Sequence, residues 1–334
     1  MSKGFAQSRT WQLLNMLADG EFHSGEILAE QLGVSRASVF NALSGVGVPD
    51  VSLHRIRGRG YRLARPWQRL KRDEVTRWLG DEAGRFDIEI LAQASSSNTL
   101  LLQRAKPDII NASVKSGSVL AVELQTAGRG RLSRVWHSGL GTALTFSLLW
   151  RFECGLNALS GLSLAVGVAQ VRALTRLGAQ GVRLKWPNDV MTKQGKLGGT
   201  LIEAQGDMLG PSTVVIGIGL NFSLPAEVMK RIDQPACALD EVCSPTPTRN
   251  QLLAIMLLEL AQVLRTFELG GFSLLRKEWE RYHIHQGCKI RLNIQNARSV
   301  SGIACGVNDS GELCLETPRG VRYFNSGEIG GTAR

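Results

Sequence analysis

The chain runs to 334 residues, 43% hydrophobic and 20% charged, with 39 Lys and Arg against 29 Asp and Glu for a formal net charge of +10. That length exceeds one typical domain and can bury a large core, and the balance excludes a disordered chain. Met1 to Gln7 lacks the apolar core of a signal peptide, and the most apolar stretch, Leu159 to Leu177, is interrupted by Arg172 and Arg176. Cys154, Cys237, Cys243, Cys288, Cys305 and Cys314 show no C-x-x-C spacing. The expectation is a cytoplasmic protein with reduced thiols, no membrane span and no zinc site.

Helical spacing begins at Thr10 to Ala18, where Trp11, Leu14 and Leu17 share a stripe that Asp19-Gly20 ends. Ser24 can cap a second helix stopping at Gly33, and Ser35 a third through Val39, Phe40 and Leu43. Helix, glycine turn, helix is the spacing of a helix-turn-helix. Ser35, Arg36, Ser38 and Asn41 at the start of the third helix are the short polar and basic groups that reach base edges or phosphates.

Apolar and basic residues then flank a Gly58-Arg59-Gly60 tip, which predicts a hairpin wing carrying Arg55, Arg57 and Arg59. From Arg55 to Arg72 there are eight basic residues and no acid, the electrostatic footprint of a nucleic-acid face. A three-helix protein-interaction module is the alternative reading. Lys71 to Leu79 is expected to form a connecting helix.

From Phe86 onward short apolar runs alternate with helical segments, which indicates an α/β (α+β) domain. Strands are expected at Ile88–Leu91, Val119–Glu123, Thr142–Leu149, Val182–Lys185, Leu201–Ala204 and Val214–Ile218. Gly161 to Leu177 reads as a buried helix, and Thr248 to Gln251 as a capping box opening an apolar helix through Phe267. Near the end, Ile290, Leu292 and Ile294 alternate with polar residues. Two further strand runs flank the turn Asn308 to Gly311 and end at Phe324, predicting a small β-barrel.

Two segments of the central region carry chemistry. Gln125 to Trp136 sets Arg129, Arg131 and Arg134 on a backbone loosened by Gly128 and Gly130. Lys185-Trp186-Pro187-Asn188-Asp189 and Lys196-Leu197-Gly198-Gly199 follow. The chain has neither a G-x-x-x-x-G-K-[ST] loop nor a G-x-G-x-x-G fingerprint. A flexible arginine loop with two lysines suits a site that handles an acid and a nucleotide phosphate together.

These segments, with Gly217-Ile218-Gly219-Leu220-Asn221, closely resemble the biotin protein ligases, which carry a GRGRxGRxW-like loop, a KWPND turn, a K-L-x-G segment and a G-x-G-x-N strand end in this order. The resemblance implies three domains: a winged helix-turn-helix at 1–66, similar to that of repressor-type members, a linker helix with a mixed-sheet catalytic domain at 67–285, and an SH3-like barrel at 286–334. It implies activation of biotin by ATP, with Mg²⁺, and transfer to a lysine of the biotin carboxyl carrier protein of acetyl-CoA carboxylase. It also implies biotin-responsive repression at operator DNA by a homodimer that forms when adenylate is bound.

By the same resemblance, Lys196, Lys185 and Arg129 carry catalysis. Ser96, Ser97, Asn98, Gln125, Gly128, Arg129, Gly130, Arg131, Lys196 and Gly198 line biotin. Arg131, Arg134, Trp136, Lys185, Asn188 and Asn221 line the nucleotide, and Asn188 with Asp189 offers oxygens to Mg²⁺. Trp136 either packs beside the ligand or anchors the loop.

The chain departs from the family at Ser95, where an Asp is usual, at Leu132-Ser133 within the loop, and near Ala236, where repressor-type relatives can place a tryptophan. The chain end, Gly327 to Arg334, keeps Gly-Glu-Ile and then diverges. A lipoate-type ligase, or a biotin-binding DNA sensor with little turnover, are the alternative functions.

Overall fold

The computed structural model describes residues 8–45, 51–106, 114–295 and 298–332; Met1 to Gln7 and the last two residues of the chain-end run lie outside them. Three short helices lead: α1 (Arg9–Met16), α2 (Gly25–Leu32) and α3 (Arg36–Ser44). The second and third are capped by the serines expected, and Ser8 caps the first by accepting Trp11 N–H. Ser24 and Ser35 accept the backbone N–H groups of Ile27 and Ser38, and Gly33 ends α2 in the left-handed region at φ 62°.

Strands β1 (Leu53–Ile56) and β2 (Gly60–Leu63) form an antiparallel hairpin. Backbone bonds between His23 and Tyr61 fasten this hairpin to the segment entering α2. A side chain at Gly60 would overlap the His23 carbonyl, so the approach requires glycine.

The core of this module does not close on itself. Trp11, Leu13, Leu14, Leu17, Leu28, Val39 and Leu63 form one buried cluster with Trp67, Ala92, Leu124 and Leu140 from the next region. The Trp11 and Trp67 rings meet at 5.7 Å, and Trp67 N–H donates to the Ala18 carbonyl. The connection then enters α4 (Arg72–Leu79), one residue shorter than expected.

Seven strands and their helices form the centre: β3 (Asp87–Ala94), α5 (Ser97–Arg104), β4 (Ser118–Gln125), β5 (Ala143–Phe152), α6 (Leu162–Arg176), β6 (Arg183–Lys185), β7 (Asp189–Met191), β8 (Lys196–Gly206) and β9 (Ser212–Asn221). The sheet order is β3-β4-β5-β9-β8-β7-β6, and only β3 and β4 run parallel.

Both faces are buried, which is why the strands read as continuous apolar runs. Val119, Ala121, Phe146, Leu148, Ile216 and Ile218 pack in the main cluster with residues of α6. Leu120, Val122, Leu149 and Val215 pack in a second cluster with Leu101 of α5. Strand β7 is not among the strands the sequence predicts, because three residues display no periodicity. Helix α5 was hidden by a serine run that reads as a loop.

After the short α7 (Ala226–Met229) come α8 (Arg249–Gly270) and α9 (Ser273–Tyr282), the latter unforeseen. Thr248 caps α8 by accepting from Gln251 N–H, and the helix continues three residues beyond Phe267. Arg249, fully buried, joins three parts of the chain. Its guanidinium donates to Glu123 of β4 at 2.6 Å, to the Ala143 carbonyl opening β5, and to the Gln68 carbonyl of the connection. The second Glu123 oxygen accepts Leu70 N–H, and Asn250 accepts Lys71 N–H while donating to the Arg69 carbonyl.

The C-terminal piece is an antiparallel sheet of β10 (Lys289–Asn293), β11 (Val300–Val307), β12 (Leu313–Thr317), β13 (Gly320–Phe324) and β14 (Glu328–Thr332), in the order β13-β12-β11-β10-β14. Ile290 and Leu292 are buried in alternation as expected. The second expected run divides into β12 and β13 at Pro318-Arg319, and the Gly-Glu-Ile run becomes β14 by pairing with β10. The Trp186 indole, buried at the end of β6, donates to the Gly311 carbonyl and docks this sheet onto the centre.

Candidate active site and nucleic-acid face

A cavity of about 400 Å³ opens where the ends of β4, β8 and β9 meet the arginine segment. Ser96, Ser97, Asn98, Gln125, Arg129, Gly130, Arg131, Arg134, Trp136, Lys185, Asn188, Asp189, Lys196 and Asn221 all line it, although they span more than a hundred positions.

One end is rich in hydroxyls and buried. Ser96 caps α5, Ser97 N–H donates to Gln125 Oε1 at 2.7 Å, and Ser147 of β5 hydrogen-bonds Ser97 Oγ and Asn98 Oδ1. Asn98 donates to the Leu201 carbonyl and to Glu203. A Cβ at Gly217 would lie 2.1 Å from Asn98 Oδ1, so that glycine makes room for the amide. Ser147 and Glu203 were not among the expected site residues; each stands alone in an apolar strand, and only the long-range pairing reveals its partners.

The arginine segment is a small hairpin. Trp136 N–H donates to the Gly128 carbonyl and Gly130 N–H to the Arg134 carbonyl. Its arginines take different partners along the cavity. Arg129 grips Glu203 with two hydrogen bonds and Thr99 with a third, beside the serine end. Arg131 donates to Asn188 Oδ1 at 3.3 Å. Arg134 pairs with Glu328 of β14. Burial pulls the Arg131 guanidinium below its ordinary pKa, against the upward pull of Asp189 and Glu328.

The family-divergent Leu132 and Ser133 both sit at positive φ, 53° and 59°, at the hairpin tip. Trp136 ends the hairpin with its ring against Gly219, where a Cβ would come within 2.6 Å, so it both lines the cavity and anchors the loop.

Lys196 Nζ lies 2.6 Å from Asp189 Oδ1, each side chain 17% exposed. Lys196 also pairs through its backbone with Pro235 and Ala236, which brings that connection to the cavity wall. A Cβ at Gly198 would crowd the Gly219 carbonyl, so this glycine serves the close β8–β9 approach; it does not line the cavity. Gly128 is likewise held against the Trp136 carbonyl and is outside the lining.

Asn221 turns its amide to the Lys196 and Cys237 carbonyls and fixes the strand end. Behind Lys185, burial and then the lysine's charge pull His285 down to about 4; burial and His285 do the same for His283.

Asn188 and Asp189 present their side-chain oxygens at the cavity wall. Asn188 accepts from Arg131 and donates to the Thr200 carbonyl, while Asp189 holds Lys196. Among the described residues no three His, Cys, Asp or Glu gather as metal ligands. These two residues do not fit a protein-only Mg²⁺ site.

On the N-terminal module, Arg36, Asn41, Arg55, Arg57 and Arg59 are exposed. Arg55 lies over the Phe40 ring at 4.3 Å, which joins the hairpin to α3, and Arg59 lies over Phe22 at 4.3 Å, which joins it to the segment before α2. Ser35 is engaged as the α3 cap and Arg36 pairs with Glu26. No helix among the described residues is long and apolar enough to cross a membrane, and all six cysteines are free.

Residues 91–221 match the biotin/lipoate A/B protein ligase family, and 283–329 the biotin protein ligase C terminal domain. The chain is 35% identical over 317 residues to the bifunctional ligase/repressor BirA of Salmonella typhimurium, covering 95% of both chains. It is 30% identical to the biotin–[acetyl-CoA-carboxylase] ligase of Mycobacterium tuberculosis, over 78% of this chain and 94% of that one. The structure of biotin protein ligase from Aquifex aeolicus in complex with biotin and ATP superposes with a TM-score of 0.60 at 26% identity, over 73% of this chain and 97% of its own.

Proposed function

The chain belongs to the biotin protein ligase family, and from that premise we propose how its residues divide the work of a ligase that is also a repressor. It activates biotin with ATP and passes it to a lysine of a biotin carboxyl carrier protein. The observation that carries the reading is one cavity with buried hydroxyls at one end and Arg131, Lys185 and Lys196 farther along.

The ureido ring has one carbonyl and two N–H groups, which suit the hydroxyls of Ser96 and Ser97 and the Gln125 amide. Asn98, engaged with Ser147, Leu201 and Glu203, orients these groups. A biotin carboxylate oxygen attacks the α-phosphorus and pyrophosphate leaves with the bond's electron pair. Negative charge concentrates between Lys185, Lys196 and Arg131, where fixed cations are worth most. In the second step a carrier lysine nitrogen attacks the acyl carbon, AMP leaves, and the amine gives up a proton. The closed hairpin keeps water from the mixed anhydride between steps. Mg²⁺ would arrive on the ATP phosphates and offset their charge.

Residues 1–66 form a winged helix-turn-helix in this reading, 67–285 the connecting helix and catalytic domain, and 286–334 an SH3-like domain. Operator DNA meets α3 through Arg36, Ser38 and Asn41, while Arg55, Arg57 and Arg59 follow phosphates. One module spans one half-site, so repression uses a homodimer on an inverted repeat, favoured by bound adenylate. The protein acts in the cytoplasm, where carrier and operator are found together.

Incubation with biotin, ATP, Mg²⁺ and an apo-carrier domain tests the ligase: the carrier gains the mass of one biotinyl group. An unchanged carrier, with no adenylate on the protein, overturns it.

A further inference from the structure

Two phenylalanines of the N-terminal module stay out of its core. Phe22, half-buried before α2, and Phe40, 37% exposed on α3, both lie outside the cluster built on Trp11, Leu14, Leu28 and Leu63. Their rings meet guanidinium groups instead. Arg59 rests over Phe22 at 4.3 Å and Arg62 at 4.8 Å. Arg55 rests over Phe40 at 4.3 Å, with the Tyr61 ring 6.0 Å away. The backbone bonds between His23 and Tyr61 set Phe22 opposite Arg62, so this stack is fixed by strand pairing.

The three arginines are placed without being neutralised. Arg36 is tied to Glu26, whereas Arg55, Arg59 and Arg62 have no ion pair among the described residues. Arg62 Nε is buried with no hydrogen-bond partner. A guanidinium over a ring keeps its N–H edge free for an oxyanion, and the ring restrains a side chain that otherwise carries large rotamer entropy.

We propose that Phe22 and Phe40 are positioning residues of the DNA face, holding Arg59, Arg62 and Arg55 in place before DNA arrives. This deepens the repressor reading and rests on it. Phosphates then meet cations that are already ordered, and binding avoids much of the cost of immobilising long side chains. That saving acts on affinity and not on charge. The number of phosphate contacts, and with it the salt dependence, stays the same.

The test measures binding of the full-length protein, supplied with biotin and ATP, to two duplexes. One has random sequence and the other is enriched from a random pool by the wild-type protein. Phe22→Leu should weaken both by about tenfold for each module bound, the ordering cost of two arginines, with an unchanged slope of log K against log salt. Arg59→Ala should instead flatten that slope by about one for each module. In a protein already carrying Arg59→Ala and Arg62→Ala, the Phe22→Leu change should cost nothing further, because the ring has nothing left to hold. Phe40→Leu repeats the measurement for Arg55 at an exposed helix position, against a background of Arg55→Ala. Wild-type affinity in both Phe→Leu variants overturns the proposal. The same loss in the backgrounds without the arginines overturns it too, as does a loss confined to the enriched duplex. A wild-type protein that binds neither duplex overturns the repressor reading itself.

Discussion

Two ion pairs of nearly the same length sit in the central domain under different terms. Arg249 and Glu123 meet at 2.6 Å with side chains 0% and 3% exposed, and their remaining atoms bond the connection and β5. Lys196 and Asp189 also meet at 2.6 Å, but at the wall of an open cavity. The first pair can change partners only if the domain opens. The second can release Lys196 to a stronger anion without any backbone moving. Two cation–carboxylate pairs of equal length thus give a fastener in one place and an exchangeable contact in the other, and burial separates them.

Arg249→Ala tests this contrast with the largest effect. It leaves Glu123 ionised and unpaired in the core, a loss of about 3–5 kcal/mol on breaking such a pair. A fall in Tm by calorimetry is the measurement, and Arg249→Met with Glu123→Leu should recover much of it, because the uncompensated charge is gone.

Lys196→Ala should barely change Tm and yet slow single-turnover adenylation by ~10²–10³, the 2–4 kcal/mol lost with an electrostatic stabiliser. A stability loss matching Arg249→Ala would erase the distinction between the pairs.

Acid gives the next largest effect. His283 and His285 are pulled from 6.5 to about 4 by burial, so the folded state prefers them neutral and the unfolded chain binds the extra protons. Their stabilisation is complete above pH 6.5, declines as pH falls through 6.5 toward 4, and is gone below. By pH 5 a histidine with that shift accounts for roughly 2 kcal/mol. Tm against pH should lose about half its slope across this window in His283→Gln, because His285 keeps its own shift.

Smallest in energy is Arg129→Ala. Its half-exposed pair with Glu203 contributes about 0.2–1 kcal/mol, so the fold persists. The hairpin stem nevertheless loses its tie, adenylate should escape before transfer, and lysines of nearby proteins should become biotinylated. Glu203→Gln should do the same if Arg129 acts through that carboxylate. No rise in proximal labelling, with adenylate still made, removes the latch.

The caps at Ser24, Ser35 and Thr248, the apolar strands and the Gly58–Gly60 hairpin were legible because each depends on neighbours in sequence. The arginine segment and both lysines were legible through their motif spacing. Ser147, Glu203 and Arg249 were not, since each acquires meaning only from partners about fifty to two hundred positions away. Gly217 shows the limit well: its lack of a side chain is explained by Asn98, a residue on another element. Strand β14 escaped notice because a Gly-Glu-Ile run has no period of its own and becomes a strand by pairing with β10.

The cluster shared by Trp11, Leu14 and Leu17 with Trp67, Leu124 and Leu140 makes the first sixty-odd residues part of the ligase's own wall. Severing the chain after Pro66 would wet that wall and loosen the tryptophan that opens the connection. An ancestor or an engineer wishing to discard the DNA reader must therefore repaint this face with polar side chains first, or inherit an enzyme that sticks to its copies.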